Sequence, residues 1–310
     1  MSKLFPPISP YSSSLVKVNQ IHSLYVEESG NKKGFPVIFF HGGPGSATNP
    51  DHRRYFDPKF YRIILFDQRG CGQSKPSGEI KENTSSFLVE DILFLKKKLG
   101  IRNCLLFGGS WGSTLALLFC IKYPEFVDGM ILRGVFTGTL SELEWFLFGL
   151  KNFLPEHKFF DKSFSTTKEL LDFFYEKIFS SNTDEAFYYS DLWSNYEASI
   201  MQIGNTSINK YNIEDKLLNL NRCKVQIHFI KNQFFLNGFD IVENVKFFQN
   251  PVEIIQGRID WVCPPITAYK LANNLKNANL RIVEDGGHSG SGASVSSALV
   301  EATEHFKNKL

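Results

Sequence analysis

Short apolar runs alternate with longer amphipathic stretches along most of the chain. Each run has four to six residues, which is too short for a helix and typical of a strand buried on both faces. The runs occupy residues 36–40, 61–66, 104–107, 127–132, 252–256 and 280–283. Helical periodicity follows several of them, so the order of elements predicts an α/β fold. We expect a mostly parallel sheet with helices on both faces.

The segment before the first run predicts an antiparallel hairpin. Residues 24–26 alternate between apolar and polar positions, and residues 30–34 begin and end with glycine. We therefore expect a turn at 30–34 that folds the strand around 24–26 against the run at 36–40.

The pattern changes at about residue 138. Sixteen aromatic residues lie between Trp145 and Tyr196, and helix-length segments replace the strand pattern. Such a helical insertion is typical of a cap that covers a site at the strand ends and lines an apolar pocket. We expect an α/β domain made of residues 1–137 and 247–310, with a helical cap domain over residues 138–246.

The composition of this 310-residue chain excludes several function classes. A net charge of +2 gives no support for nucleic acid or a membrane surface as partner, and no apolar stretch has the length of a membrane span or signal peptide. The five cysteines show no C-x-x-C spacing, and three of them lie in apolar or strand-like settings, so we interpret those three as small core residues. These features favour a cytoplasmic protein. The spacing of metal-ligand residue types indicates no metal site, and we expect no cofactor.

A buried strand, a glycine-rich turn and an apolar helix follow one another around Ser110. The turn reads Gly108-Gly-Ser-Trp-Gly112, which is the G-x-S-x-G nucleophile elbow. Glycines two residues before and after the serine remove side chains that would clash where the backbone bends sharply. We therefore predict that Ser110 sits in a strained strand-to-helix turn and acts as a nucleophile.

Two further loops after predicted strands carry an acid and a base. Asp260 follows the run at 252–256, and His288 lies in a glycine-rich loop after the run at 280–283. The chain order of nucleophile, acid and base is that of α/β-hydrolases, and the three residues predict a Ser-His-Asp triad. His288 would take the proton of Ser110, and Asp260 would orient the imidazole.

A third loop could stabilise the negative charge of a reaction intermediate. Residues 41–45 read His-Gly-Gly-Pro-Gly directly after a buried strand, and they resemble the oxyanion loop of lipases and esterases. The backbone N–H groups of Gly43 and of Trp111, which follows the nucleophile, would form the oxyanion hole.

Taken together, these motifs resemble the proline iminopeptidase (prolyl aminopeptidase) family of α/β-hydrolases over nearly the whole chain. The loop at 41–45 recurs in related hydrolases. The sequence Gly-Gly-Ser-Trp-Gly at 108–112, followed by Leu-Arg-Gly-Val-Phe at 132–136, is more particular to this family. The resemblance implies a serine exopeptidase that releases N-terminal proline from small peptides through an acyl-enzyme.

The resemblance also implies substrate-binding residues. The family's cap carries a Trp-x-x-Trp-Glu segment, whose glutamate holds the N-terminal amine of the substrate. Here the segment reads Trp193-Ser-Asn-Tyr-Glu197, with tyrosine in place of the second tryptophan. Glu197 would therefore hold the amine, Phe136 would contact the proline ring, and Arg133 would supply a neighbouring polar contact.

The chain departs from the family at a second cap glutamate, which lies in a Glu-Asn-His-Tyr-Phe-type segment. We match that segment to Lys231-Asn-Gln-Phe-Phe235, which assigns Lys231 and Phe235 to the substrate site. Exchanging a negative for a positive charge in a pocket for a cation should weaken amine binding. Lys231 then turns outward, or pairs with Glu197, or the substrate differs.

Three functions therefore stay open. The first is the aminopeptidase. The second is an esterase or amidase of the same fold with a different acyl group, for which Lys231 is the motive. The third is a non-catalytic hydrolase fold that binds a small ligand, and the intact triad and oxyanion loop argue against it.

Overall fold

One mixed sheet forms the centre of the computed structural model, which describes residues 4–203 and 215–308. Its strands are β1 Ser12–Lys17, β2 Ser23–Gly30, β3 Phe35–Phe40, β4 Tyr61–Phe66, β5 Cys104–Gly109, β6 Val127–Arg133, β7 Val252–Gly257 and β8 Ala278–Val283. In the described residues the sheet has eight strands, in the order β1-β2-β4-β3-β5-β6-β7-β8. The pairs β1–β2 and β2–β4 are antiparallel, and the other neighbouring pairs are parallel.

Helices cover both faces of the sheet and fill the segment between β6 and β7. They are α1 Ser85–Lys98, α2 Trp111–Lys122, α3 Leu140–Glu144, α4 Thr167–Ile178, α5 Thr183–Gln202, α6 Lys216–Lys231, α7 Ile241–Asn244, α8 Pro265–Asn274 and α9 Ala293–Lys307. Helices α3 to α7 lie between β6 and β7, where the described residues form no strand. None of the helices in residues 4–203 and 215–308 is both long and apolar enough to cross a membrane.

The predicted α/β fold with a mostly parallel sheet is confirmed, whereas the predicted hairpin at residues 30–34 is wrong. β2 pairs with β1, with Ser12 opposite Glu28, and β4 lies between β2 and β3. Alternation of apolar and polar residues identifies a half-buried strand, but it does not determine which strand lies beside it.

The buried strands hold the core between two layers of helices. β5 is buried along its whole length, as its continuous apolar run predicts. One apolar cluster packs one face of the sheet against α1, α2 and the helices between β6 and β7. A second cluster packs the other face against α9. All five cysteines lie in the described residues as buried free thiols, which confirms the three interpreted as core residues and shows that the other two are buried as well.

Aromatic residues between β6 and β7 form a core of their own. The rings of Phe159 and Tyr196 stack with 4.0 Å between centroids, and Phe174 meets Trp193 edge to face at 5.2 Å. The Tyr196 hydroxyl donates to the carbonyl oxygen of Phe146. Aromatic pairs of this kind add specific geometry to the large area they bury, so they fix α5, the helix that carries Glu197.

A buried ion pair fastens the loop after β4 to α1. Arg69 donates to Asp91 from Nε at 2.6 Å and from Nη2 at 2.7 Å, and both side chains are less than 5% exposed, at 3% and 4%. Burial raises the pKa of Asp91, although Arg69 opposes the shift. Removing the carboxylate would leave a buried guanidinium without its partner charge.

Asp91→Ala is therefore expected to lower the free energy of unfolding by about 3–5 kcal/mol. Urea unfolding followed by circular dichroism measures the change. Glu90→Ala is the matched control, because Glu90 precedes Asp91 on α1 and pairs with Lys122 of α2, but is 47% exposed. That exposed pair should contribute at most about 1 kcal/mol. Equal losses in the two variants would contradict the prediction.

Candidate active site

The turn between β5 and α2 holds Ser110 in a backbone conformation that side chains rarely adopt. Its φ and ψ are 57° and −128°. A Cβ on Gly108 would lie 2.2 Å from the carbonyl oxygen of Gly112, and one on Gly112 would lie 2.1 Å from that of Phe40. The strained turn predicted from the spacing of the glycines is thus present, and both glycines are required by close backbone approach.

An acid and a base meet at the ends of β7 and β8. His288 Nδ1 lies 2.9 and 3.0 Å from the two carboxylate oxygens of Asp260. Asp260 is 3% exposed, and its Oδ1 accepts from the backbone N–H groups of Val262 at 3.1 Å and Cys263 at 2.8 Å. These donors fix the carboxylate, which in turn orients the imidazole and places the proton on Nδ1.

The end of β6 and the residue after it pack against Asp260 and His288. Gly134 has φ of +52°, and a Cβ there would lie 3.1 Å from Asp260 Oδ2 and 3.2 Å from His288 Cε1. Arg133 Nη1 donates to the carbonyl oxygen of His288 at 2.5 Å. Arg133 therefore holds the backbone of the histidine loop, and its side chain also lines the cavity over Ser110.

Three side chains tie the loop at 41–45 to the elbow. His41 Nε2 accepts from the Gln68 N–H at 3.0 Å, and Gln68 Nε2 donates back to the His41 carbonyl oxygen at 2.9 Å. Trp111 Nε1 donates to Gln68 Oε1 at 2.8 Å. Burial lowers the pKa of His41, so its ring is neutral and keeps Nε2 as an acceptor. Gly43 and Trp111 are thus held beside Ser110 by one buried network.

The same loop touches α6, one of the helices between β6 and β7. Gly45 has φ of +92°, and a Cβ there would lie 2.4 Å from the carbonyl oxygen of Arg222. A side chain at this position would push α6 away from the loop. Glycine is therefore needed both for the conformation and for the contact.

Two cavities meet at Ser110. The larger, of about 580 Å³, is lined by His288, Arg133, His52 and Arg222 among others. The smaller, of about 50 Å³, is walled by aromatic rings and carries two carboxylates. Its side chains include Phe136, Phe146, Phe234, Glu142, Glu197 and Gln226. Ser110, Gly43 and Glu197 line both cavities.

Histidine 52 belongs to the apolar wall of the larger cavity. Its ring stacks on Phe39 with 4.4 Å between centroids. Burial, with smaller contributions from His41 and Arg133, lowers the pKa of His52 to about 3. It is therefore neutral at physiological pH. Among the described residues, no group of three or more His, Cys, Asp or Glu side chains is arranged to hold a metal ion.

Two residues assigned to the substrate site lie elsewhere in the structure. The Lys231 ammonium forms an ion pair with Asp172, and both residues line a separate cavity among the helices between β6 and β7. Phe235 packs against His228 and Phe229, with centroids 5.1 and 5.5 Å away. The ring beside Phe136 is that of Phe234, at 4.9 Å. Of the three possibilities for Lys231, the structure shows the outward one.

Three side chains around Glu197 and Ser110 were missed by the sequence analysis. Gln226 donates to Glu197 Oε1, Arg222 Nη2 lies 3.0 Å from Glu197 Oε2, and Glu142 lines the small cavity. A signal for Gln226 existed, because residues 226–230 read Gln-Ile-His-Phe-Ile and keep the histidine of a Glu-Asn-His-Tyr-Phe segment. Glu142 and Arg222 have no comparable motif.

Comparison with known proteins agrees with this architecture. The α/β-hydrolase fold family matches residues 36–291. The proline iminopeptidase of Arabidopsis thaliana is 37% identical over 98% of this chain and 82% of its own length. The proline iminopeptidase of Neisseria gonorrhoeae is 34% identical over 97% of this chain and 98% of its own. This chain belongs to the proline iminopeptidase family of α/β-hydrolases.

Solved structures show the same fold at lower identity. A proline iminopeptidase of Mycobacterium smegmatis superposes with a TM-score of 0.64 at 16% identity, over 96% of this chain and 99% of that one. A bromoperoxidase from Bacillus anthracis superposes with a TM-score of 0.66 at 19% identity, over 96% and 100%. Such similarity reflects the scaffold, which serves many chemistries.

The Trp-x-x-Trp-Glu segment of the proline iminopeptidase family lies on α5 in this chain. Trp193 Nε1 donates to Gln226 Oε1 at 3.0 Å, and Gln226 in turn donates to Glu197. Tyr196, which replaces the second tryptophan, is buried in the aromatic core. The segment therefore delivers one carboxylate to the small cavity and anchors it through an amide.

Proposed function

We propose that this member of the proline iminopeptidase family is a serine exopeptidase that releases N-terminal proline from small peptides. The observation that carries the proposal is the small cavity at Ser110, which combines aromatic walls with the carboxylates of Glu142 and Glu197. A prolyl residue has an apolar ring beside a secondary amine that is charged at neutral pH. Rings suit the first part, and carboxylates suit the second.

In the proposed reaction, Ser110 attacks the carbonyl carbon of the N-terminal proline while His288 Nε2 takes its proton. Asp260 stabilises the imidazolium that forms, and the N–H groups of Gly43 and Trp111 hold the oxyanion. His288 then gives its proton to the leaving amine, and the acyl-enzyme forms. Water, activated by His288, attacks the ester and releases free proline and the serine hydroxyl.

The two cavities suggest how the substrate would lie. The proline would fill the small cavity, with its amine toward Glu197 and its ring against Phe136 and Phe234. The rest of the peptide would leave through the larger cavity, which borders Ser110 and His288. Phe136, Glu197 and Arg133 thus keep their places near the site in this proposal, while Lys231 and Phe235 have no part in it.

Glu197→Gln is expected to lower kcat/KM on prolyl amides with a free amine by about 10- to 100-fold, because it removes the charge that faces the amine. Turnover of a short-chain ester without an amine should change by about twofold or less. Steady-state kinetics on both substrates measures the difference. Glu144→Gln is the matched control, since Glu144 is exposed and lines the separate cap cavity. An equal loss on the ester would refute the role of Glu197.

A second candidate, an esterase or amidase with a different acyl group, has one observation in its favour. Glu197 already pairs with the guanidinium of Arg222 at 3.0 Å, which offsets its charge. Hydrolysis of fluorogenic amides of Pro, Ala, Leu and N-blocked Pro, beside a short-chain ester, separates the two functions. Preference for free Pro supports the exopeptidase. Ester turnover without that preference supports the alternative.

We also propose that residues 138–246 act as a cap domain over a catalytic domain of residues 1–137 and 247–310. The position of α3 to α7 between β6 and β7 supports this division. A cytoplasmic location is proposed as well, and the five buried free thiols support it because reducing compartments keep cysteines unpaired. Small peptides with N-terminal proline are the proposed partners.

A further inference from the structure

An arginine on the cap helix shares the carboxylate that faces the small cavity. Arg222 Nη2 lies 3.0 Å from Glu197 Oε2 and 2.7 Å from Ser194 Oγ. The two charged side chains are 23% and 19% exposed, so water screens their attraction only in part. Gln226 Nε2 donates to the other carboxylate oxygen, Oε1. Both oxygens of Glu197 therefore have donors before any substrate arrives.

The two donors reach different oxygens of Glu197 and line different cavities. Gln226 lines the small cavity, whereas Arg222 lines the larger one. An amine bound in the small cavity would approach Glu197 from the side of the neutral amide. The guanidinium would stay bonded to the other oxygen of the same carboxylate, within the range of Coulomb repulsion.

The other carboxylate of the small cavity is held differently. Glu142 accepts from the side-chain and backbone donors of Thr139, from Thr137 and from the Thr267 hydroxyl, at distances between 2.8 and 3.3 Å. These donors are neutral, so they orient the carboxylate without offsetting its negative charge. The balance of charge in the cavity therefore depends on the cation beside Glu197.

We propose that Arg222 is a specificity-determining residue that weakens binding of a free N-terminal amine at Glu197. The inference rests on the proposed function, because it assigns the amine to Glu197. With Arg222 in place, the pair Glu197–Arg222 has no net charge, and an incoming ammonium gains less than it would beside an unshared carboxylate. Selectivity for free-amine substrates over neutral acyl groups is thus limited by one ion pair.

The test measures amine affinity directly, without requiring prolyl turnover. Prolinamide is used as a competitive inhibitor of short-chain ester hydrolysis. Arg222→Gln should lower its inhibition constant by about tenfold, as expected for removal of one nearby like charge. The KM of the ester should stay within about twofold, because the ester carries no charge to repel. Lys224→Gln is the matched control, since Lys224 on the same helix lies over the ring of Phe179 and lines neither cavity.

A double-mutant cycle shows how the effect of Arg222 depends on Glu197. In the Glu197→Gln background the guanidinium has no carboxylate to offset its charge, so Arg222→Gln should again lower the inhibition constant, by about tenfold or more. If the Arg222→Gln variant does not fold, Arg222→Met replaces it in the same inhibition measurements, because methionine keeps an apolar stem at this position. An unchanged or raised inhibition constant after Arg222→Gln, in either background, would overturn the proposal. Failure of the proposed function appears separately, as wild-type enzyme that turns over esters but not free prolyl amides.

Discussion

Ser110→Ala is expected to abolish turnover of both prolyl amides and esters, with kcat reduced by about 10⁴-fold or more. The reason is that the proposed reaction begins with attack by the Ser110 hydroxyl. Alanine removes a single oxygen from a side chain at the junction of two cavities, so the fold should stay intact. Steady-state kinetics and labelling by a fluorophosphonate measure the loss, and circular dichroism checks the fold.

Ser86→Ala is the control for Ser110→Ala. Ser86 is exposed on α1, and its hydroxyl contacts that of Thr84 at 3.1 Å, far along the chain from the elbow. Labelling and turnover should match the wild type. Retention of more than a few per cent of activity (about 1 part in 30) by Ser110→Ala would exclude a serine nucleophile at this position.

Asp260→Asn is the second large effect, with an expected loss of about 10⁴-fold in kcat. Asp260 Oδ1 accepts two backbone N–H bonds, so the amide oxygen of asparagine would take that place. The amide nitrogen would then face His288 Nδ1, which lies 2.9 Å from Oδ2. A donor at this position forces the imidazole proton onto Nε2, and His288 can no longer accept the proton of Ser110.

Asp285→Asn tests whether any loss of charge near His288 has the same effect. Asp285 lies on the same loop, is exposed, and accepts from Ser294 Oγ. Its substitution should change kcat by about twofold or less. The measurement is kcat on a saturating ester or prolyl amide, with thermal unfolding as a check on the fold. Retention of about a tenth of the wild-type kcat by Asp260→Asn would contradict the assigned orientation of the imidazole.

The parts of the site that sequence reasoning located are those in which local backbone chemistry specifies the position. Ser110 is flanked by glycines that the turn requires, and Asp260 and His288 each follow a short apolar run. Carboxyl ends of neighbouring parallel strands meet at one edge of a sheet, so such residues are brought together by topology. The position of each along the chain is therefore enough to predict their meeting.

Orientation on a helix is harder to predict, as α6 shows. Gln226 and Lys231 are five positions apart, and at 100° per residue their side chains point about 140° away from each other around the helix. A segment match shifted by five residues therefore exchanges a side chain on the cavity for one on the outer surface. The same difficulty applies to Arg222, whose partner Glu197 lies on a different helix.

The sequence did not predict which strands pair with β2 and β3, for a related reason. Residues 30–34 have the composition of a turn, and the chain does turn there, between β2 and β3. The placement of β4 between these strands depends on the parallel register of β3 with both β4 and β5. Register of this kind is set by packing across the sheet rather than by any local pattern.

The contact at Gly45 bears on where substrate can enter the enzyme and product can leave it. α6 packs directly on the loop that contains Gly43, at the carbonyl oxygen of Arg222. A movement of α6 away from this loop would break the contact beside Gly43, the proposed oxyanion donor. We therefore expect exchange of substrate and product to use the mouth of the larger cavity, beside residues 289–291, while α6 stays seated. In the proposed reaction, the helix beside the N-terminal amine of the substrate and the loop beside the oxyanion are then held by one shared contact.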